Sequence, residues 1–331
     1  CLSSRNPFMN RRSLLKAIAV ACPSVARAQS PAWPSRPVRV IVPYAAGGGP
    51  DLLARKMAPE LARALGTNVV VENKVGAAGI VAAEVSAQAP PDGYLVLLGS
   101  NSHIVNKIMQ PGLKFDPLTS FAPVTLMASG AGVLVVPADS PWRSARDLAE
   151  AIRAKPGRFN YASGGIGTAA HLAGASFVRS QGLHAVHIPY RGSVEIVPAL
   201  LGGDVHFAFP VSSTAMPAIR SGKVRPLAVA GGQRIRSLPD VPTLREIYKD
   251  ERLVQEFWTG AWVPAGTPRE VIDKLDAAFK ATHRVPAVRE FYESNGSEVV
   301  FSESPAQYAD YMKRETDKWT RIIQLTGVKP E

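Results

Sequence analysis

The sequence predicts a two-domain α/β protein, each domain a doubly wound, mostly parallel sheet flanked by helices. Three observations carry that expectation. The chain has 331 residues, more than one ordinary core organises. Short apolar runs of strand length alternate with stretches of helical periodicity. The alternation pauses near residue 130 and then restarts with the same rhythm, which is the pattern of two separate βαβ sets.

The first strand is expected over 38–43, Val-Arg-Val-Ile-Val-Pro, an apolar run suited to burial on both faces of a sheet. A glycine-rich turn leads into a helix over 51–65, where Leu52, Leu53, Met57, Leu61 and Leu65 recur at helical spacing. A strand at 68–72, a helix at 79–88 and a strand at 94–98 continue the set. Two further strands, 122–127 and 132–137, lead into the second set. That set reads helix 145–154, strand 159–162, helix 169–181, strand 185–189, helix 195–201, strand 205–209 and strand 225–230, with 217–221 between the last two. The chain then passes an extended stretch at 256–264 and ends in amphipathic helices at 268–283 and 305–325. The charged stretch 250–255 reads as plain surface, and Phe257, Trp258 and Trp262 as core or hinge packing. One set inserted within the other gives lobe 1 over 30–130 and 251–331, lobe 2 over 131–250, and a hinge where the chain crosses.

Composition excludes several classes. The chain is 46% hydrophobic, 20% charged and 7% aromatic, ordinary values for a globular protein. No apolar run reaches the roughly 18 residues of a membrane span. The formal charge is +11, but Arg5, Arg11, Arg12, Lys16 and Arg27 contribute five of it, and taking those away leaves +6 without a basic block. A mildly basic surface favours anions; nothing in it suggests nucleic acid.

The N-terminal positives belong to a recognisable export pattern. Met9, the expected initiator, begins a charged region with Arg11-Arg12 and Lys16; residues 17–25 are apolar; Ala26-Arg27-Ala28 fits small-x-small cleavage. Residues 9–28 are therefore expected to be a signal peptide of Tat or Sec type, followed by a proline-rich linker. Both cysteines, Cys1 and Cys22, precede the cleavage point, so the mature chain is expected to hold no thiol or disulfide. Residues 19–22, Ala-Val-Ala-Cys, make a poor lipobox, and a lipid anchor is not expected.

Two turns could carry binding chemistry. The first is Val42-Pro43-Tyr44-Ala45-Ala46-Gly47-Gly48-Gly49-Pro50-Asp51, between a strand and a helix. Glycines admit positive φ and let a ligand approach the backbone, while the helix start offers unpaired N–H groups and the positive end of its dipole. The plainer alternative is a tight turn capped by Asp51. The second is Ser163-Gly164-Gly165-Ile166-Gly167-Thr168-Ala169-Ala170-His171, built the same way. Ser100 and Ser102 add hydroxyls at the end of the third strand. Two amide-rich turns facing each other across a cleft would suit an organic anion.

Gly165-x-Gly167-x-x-Ala170 also matches a dinucleotide fingerprint, so an NADP-dependent oxidoreductase is the rival. The acid expected on the following strand is missing, with Tyr190-Arg191-Gly192 in its place. No nucleophile elbow, zinc motif or paired carboxylates occur, so no catalytic residue, metal or cofactor is expected. A cytosolic carboxylate sensor of the same fold is the remaining alternative.

Several ordered stretches carry a family resemblance: Val42-Pro43-Tyr44 with Gly47-Gly48 and Asp51, Val70-Val71-Glu72-Asn73, Gly76-Ala77-Ala78-Gly79, Pro91-Asp92-Gly93-Tyr94, Asn160-Tyr161-Ala162-Ser163, Gly167-Thr168 with His171, and Leu238-Pro239-Asp240-Val241-Pro242-Thr243. Across residues 30–329 the chain resembles the Bug, or tripartite tricarboxylate transporter, substrate-binding family. The resemblance implies a two-lobed periplasmic binding protein of type II-like fold, expected to be monomeric, that closes on a di- or tricarboxylate or aromatic acid and delivers it to two membrane subunits. It nominates Tyr44, Ala46, Gly47, Gly48, Asp51, Ser100, Ser102, Ser163, Gly167, Thr168 and His171 as ligand-binding. Phe209-Pro210-Val211-Ser212 departs from the family's frequent Phe-Asp-Asn, which argues against an amino acid ligand.

Overall fold

The computed structural model describes residues 33–329, so the expected signal peptide and both cysteines lie outside the described residues. The first set runs β1 (Val38–Val42), α1 (Gly49–Leu65), β2 (Val69–Asn73), a 3-10 turn (Ala77–Gly79), α2 (Ile80–Ala87), β3 (Leu95–Ser100), α3 (Asn101–Met109) and β4 (Phe121–Ala131). The second comprises β5 (Val133–Pro137), α4 (Ala145–Ala154), β6 (Phe159–Ser163), α5 (Ala169–Ser180), β7 (Ala185–Pro189), α6 (Ile196–Gly202), β8 (Phe207–Ala208), α7 (Ser212–Arg220) and β9 (Val224–Val229). The chain closes with α8 (Leu244–Tyr248), β10 (Glu256–Pro264), α9 (Arg269–Arg284), α10 (Pro286–Ser294), β11 (Glu298–Val299) and α11 (Pro305–Thr326).

Two sheets form, in the orders β11-β4-β10-β3-β1-β2 and β7-β6-β8-β5-β9. The α/β reading with two helix-flanked sheets holds, with sheets that are mixed rather than mostly parallel. In the first, β1 pairs parallel with β2 and β3, whereas β10 runs antiparallel to β3 and β4. In the second, β6 pairs parallel with β7 and β8, whereas β5 runs antiparallel to β8 and β9. The reason is topological. A helical crossover returns a strand parallel, but β10 re-enters the first sheet from the second without a crossover inside its own sheet.

Strand β5 shows why the apolar runs form central strands. Val133 and Val135 face one core with Ala162, Ile196 and Val229, while Leu134 and Val136 face another with Phe159, Phe177 and Phe207. In the first sheet Ile41, Leu95 and Leu97 pack with Trp258, Trp262 and one face of α11. Trp258 and Trp262 are fully buried, so both are core residues. Trp258 Nε1 donates to buried Glu315 at 2.7 Å and Trp262 Nε1 to Tyr308 Oη at 2.8 Å, satisfying the indoles that burial would otherwise penalise.

The sheets are joined where β4 passes into β5 and where the chain returns from β9 to β10. Ala230 N donates to Gly132 O at 2.8 Å and Gln255 N to Ala230 O at 2.7 Å, tying the crossing segments side by side. Residues 250–255 are not plain surface: Leu253 is 1% exposed and Gln255 4% exposed, because this stretch carries the return crossing. Helix α3 was hidden by the polar run Asn101-Ser102-His103, which in fact starts it: the side chains of Ser100 and His103 close a capping box. Helix α10 was likewise unassigned; Pro286 at its first turn opens a new helix after α9.

Candidate functional site

The site is a narrow cavity of about 50 Å³ walled by loops of both sheets. From the first sheet come Pro43, Tyr44, Ala45 and Pro50, the 3-10 turn with its flanks Val75 and Gly76, Ser102, and Phe257 of β10. From the second come Gly164, Thr168, Ala169 and Ala170, then Arg191 to Ser193, Ile196 and Val211. Five helices begin at this wall: Pro50 lies in the first turn of α1 and Ser102 in that of α3, while Gly79, Thr168 and Val211 are the N-caps of α2, α5 and α7. Each start contributes the positive end of a dipole and, where no turn bond takes them, free amides; at α2 Gly79 N and Ile80 N are already bonded to Gly76 O and Ala77 O, and at α1 Pro50 has no N–H. Among the described residues lining the cavity none is acidic, and Arg191 is the one ionic side chain. The arrangement is electropositive through its backbone.

The first glycine turn is held from behind by a carboxylate. Asp51 is 1% exposed, and its Oδ2 accepts from Gly47 N at 2.9 Å and Arg55 Nε at 3.0 Å. Its Oδ1 accepts from Asn73 Nδ2 at 2.8 Å, and the same amide donates to Tyr44 O at 2.9 Å. Burial alone would raise the Asp51 pKa, but the bonds from Arg55, the Gly47 amide and Asn73 together hold it below the usual carboxylate range. Gly47 is in the left-handed region at φ 79°, which the turn needs in order to aim that amide inward.

The second glycine turn is held by imidazoles. Gly167 N donates to His171 Nδ1 at 3.2 Å, and Ser163 Oγ lies 2.7 Å from His187 Nε2 while accepting from Gly165 N at 3.1 Å. The two rings stack at 4.0 Å with 12° between planes. Burial lowers the pKa of His171 to about 3, with His187 adding a smaller effect, and lowers that of His187 to about 4. Both are therefore neutral supports at neutral pH.

Among the residues nominated from sequence, Tyr44, Ser102 and Thr168 line the cavity. Ser100 stands behind, its Oγ 2.7 Å from Tyr44 Oη. Burial raises the Tyr44 pKa, with hydrogen bonds to Ser100 and Ser102 opposing it. Gly48 is buried, and a Cβ there would stand 3.4 Å from Ser193 Oγ across the cleft. Gly167 faces Asn106 of α3, so the second turn abuts the first sheet's helix. Asp51, Ser163 and His171 are spent inside the protein as loop supports, and Gly47's amide is committed to Asp51. Ala46 is exposed and does not line the cavity.

Sequence reasoning missed the 3-10 turn as a wall, along with Ser193, Ile196, Val211 and Phe257. Gly76, Ala77, Ala78 and Gly79 all have positive φ, at 146°, 45°, 51° and 98°. The paired glycines were the available signal, but the turn lies just before the helix expected over 79–88 and nothing in two alanines marks a wall. Asn106 Nδ2 donates to Ala78 O at 3.1 Å and secures the turn. Among the described residues no group of three or more His, Cys, Asp or Glu is placed to hold a metal.

Residues 53–328 match the model of the tripartite tricarboxylate transporter family receptor. The chain belongs to that receptor family. Among relatives, the UPF0065 protein in the tcbD-tcbE intergenic region of Pseudomonas sp. strain P51 is 35% identical over 317 residues, covering 95% of this chain and 94% of the relative. The structure of the periplasmic binding protein BugD is 32% identical with a TM-score of 0.85, covering 90% of the receptor and all of BugD. MatC of Rhodopseudomonas palustris, solved with bound malate, is 30% identical with a TM-score of 0.82, covering 88% of the receptor and all of MatC. The receptor's cavity between two sheets is thus built on a scaffold shared with periplasmic binding proteins.

Proposed function

We propose that the receptor captures a small organic carboxylate between its lobes and hands it to two membrane subunits of a tripartite transporter, working as a monomer in the periplasm and not as an enzyme. The observation that carries this is the convergence of five helix starts from both sheets on one cavity without an acidic wall residue. Backbone amides at helix starts suit a carboxylate, and placing them on both sheets makes the anion a bridge that favours closure. The malate held by MatC supports the same chemistry. The strands each sheet recruits support a reading with lobes over 30–130 with 251–331, and over 131–250. Tyr44, Ser102 and Thr168 would contact the ligand. Gly48 and Gly167 would give it room, and Asp51, Ser163 and His171 would act through the loops they hold.

Thermal-shift measurements with a panel of organic acids, followed by small-angle scattering, test the proposal. A binding acid raises the melting temperature and compacts the protein. A panel in which no acid does either refutes it. Export through a Tat or Sec signal is checked separately: mature protein recovered from the periplasm should begin near Gln29, and retained residues 9–28 would overturn that part.

A further inference from the structure

The cavity wall says more about the ligand than its charge. Its polar side chains are few and partly engaged. Tyr44 Oη is bonded to Ser100, and Thr168 Oγ1 donates to Gly165 O at 2.7 Å while lying 3.4 Å from His171 N. No Asn, Gln, His, Lys, Asp or Glu side chain lines it among the described residues. Ser102, Ser193 and Arg191 are the other polar side chains of the wall, while Pro43, Val75, Ala78, Ile196, Val211 and Phe257 present carbon to the space. A second, smaller chamber of about 20 Å³ shares Pro43, Tyr44, Pro50 and Phe257 with the first and continues to Leu53, Leu98 and Met127. Ser129, Thr259, Tyr292 and Ser297 add hydroxyls to this second chamber, which holds no ionic side chain among the described residues.

Taken with the carboxylate-receptor reading, on which it rests, we infer that this receptor is selective for a monocarboxylate with an apolar body, aromatic or short aliphatic, over hydroxylated di- and tricarboxylates. One carboxylate is served by the helix-start amides. A second would find a single cation, Arg191, which is exposed and has no acidic ion-pair partner among the described residues. A third would have to lose its water against Val211, Ile196 or Phe257 with only the hydroxyls of Ser102 and Ser193 in exchange, and burying a charge on so few donors is strongly unfavourable. A ligand hydroxyl would meet the same wall. An apolar body instead gains by leaving water. The hollow beside the crossing segments, about 380 Å³ and lined by Arg234, Arg245, Glu256 and Glu298, is the polar one, but Arg234 there pairs with Glu246 at 3.0 Å and Arg245 lies 3.5 Å from Glu251.

Calorimetric titration of the mature receptor with benzoate and hexanoate, and separately with malate and citrate at matched ionic strength, tests the inference. Benzoate or hexanoate should bind at least tenfold tighter than malate or citrate. Val211→Asn should narrow that ratio at least threefold, with the circular dichroism spectrum and unliganded melting temperature confirming that the variant folds. Malate or citrate binding as tightly as the apolar acids, or tighter, would overturn the selectivity while leaving the carboxylate receptor standing. Should none of the four acids bind and a wider acid panel also fail, the receptor reading itself falls, and the inference with it.

Discussion

The two glycine turns look alike in sequence and differ in what holds them. The β1–α1 turn is anchored by an ionised carboxylate that gathers Gly47, Arg55 and Asn73. The β6–α5 turn is anchored by two neutral, stacked imidazoles acting on Gly167 and Ser163. One support therefore depends on staying charged and the other on staying uncharged. Equivalent backbone geometry on the two sides of a cleft has been reached through opposite protonation chemistry, and acid separates them.

The largest expected effect follows from that contrast. The folded-state pKa of His171 is about 3, against about 6.5 in the unfolded chain. Between those values the unfolded state binds the extra proton, so stability is fully present above pH 6.5 and falls as pH drops, by about 1.4 kcal/mol per pH unit for this one group. Asp51, with its pKa held low, begins to lose its contribution only below the unfolded carboxylate value of about 4. Urea melts at pH 7 and pH 4.5 should show the loss, and His171→Asn should lower the slope by about 1.4 kcal/mol per pH unit, the remainder coming from the buried His103, His187 and His283. An unchanged slope in the variant would remove His171 from the account.

Next comes Asp51→Ala. It leaves the Gly47 amide and the Asn73 amide without their acceptor and the Arg55 guanidinium without its counterion, for an expected cost of about 3 kcal/mol at pH 7. Asp51→Asn keeps the shape and should cost less. Equal stability of Asp51→Ala and the parent in urea would show that the turn holds itself.

Gly167→Val should act on binding more than on folding. Gly167 sits at φ 79°, and a Cβ there would collide with Asn106 Oδ1 across the cleft. Ligand affinity should drop by about 2 kcal/mol, and scattering should show an open form at ligand concentrations that compact the parent. Gly47→Ala is the matched control on the other turn: it has the same φ but open space around it, so its cost should be confined to backbone strain of about 1 kcal/mol.

The smallest effect is expected at Arg191. Its side chain is exposed, so Arg191→Ala should change the affinity for a monocarboxylate by less than about 1 kcal/mol. A loss above about 3 kcal/mol would mean that a guanidinium clamp, and not the amides, carries the anion.

The elements themselves were largely legible because burial on two faces leaves an unmistakable apolar run. The strands over Val38–Val42 and Val133–Pro137 and the helix Ala145–Ala154 stand where periodicity puts them. The mixed sheet was not legible, since strand direction depends on which strand the chain returns to and no local signal encodes that. The site was half legible. Glycine and hydroxyl residues marked the two turns, yet the same residue types serve as wall and as support. Only the fold tells Thr168, at the cavity, from Ser163, buried behind it. Val211 and Phe257 escaped notice because apolar residues in a binding wall look like any others.

The turn from Gly76 to Gly79 divides the cavity into a part that can diversify and a part that cannot. Two L-alanines in the left-handed region cost roughly 1–2 kcal/mol each, and larger or branched side chains would cost more. Substitution there is confined to glycine, alanine, asparagine and aspartate by the backbone alone, whatever the ligand. The facing wall is under no such restraint: Val211 sits in an ordinary extended conformation, and Arg191 is exposed. A receptor built this way can be retuned toward a new acid by changing a few side chains on one side, while the other remains a fixed reference surface made almost entirely of main chain.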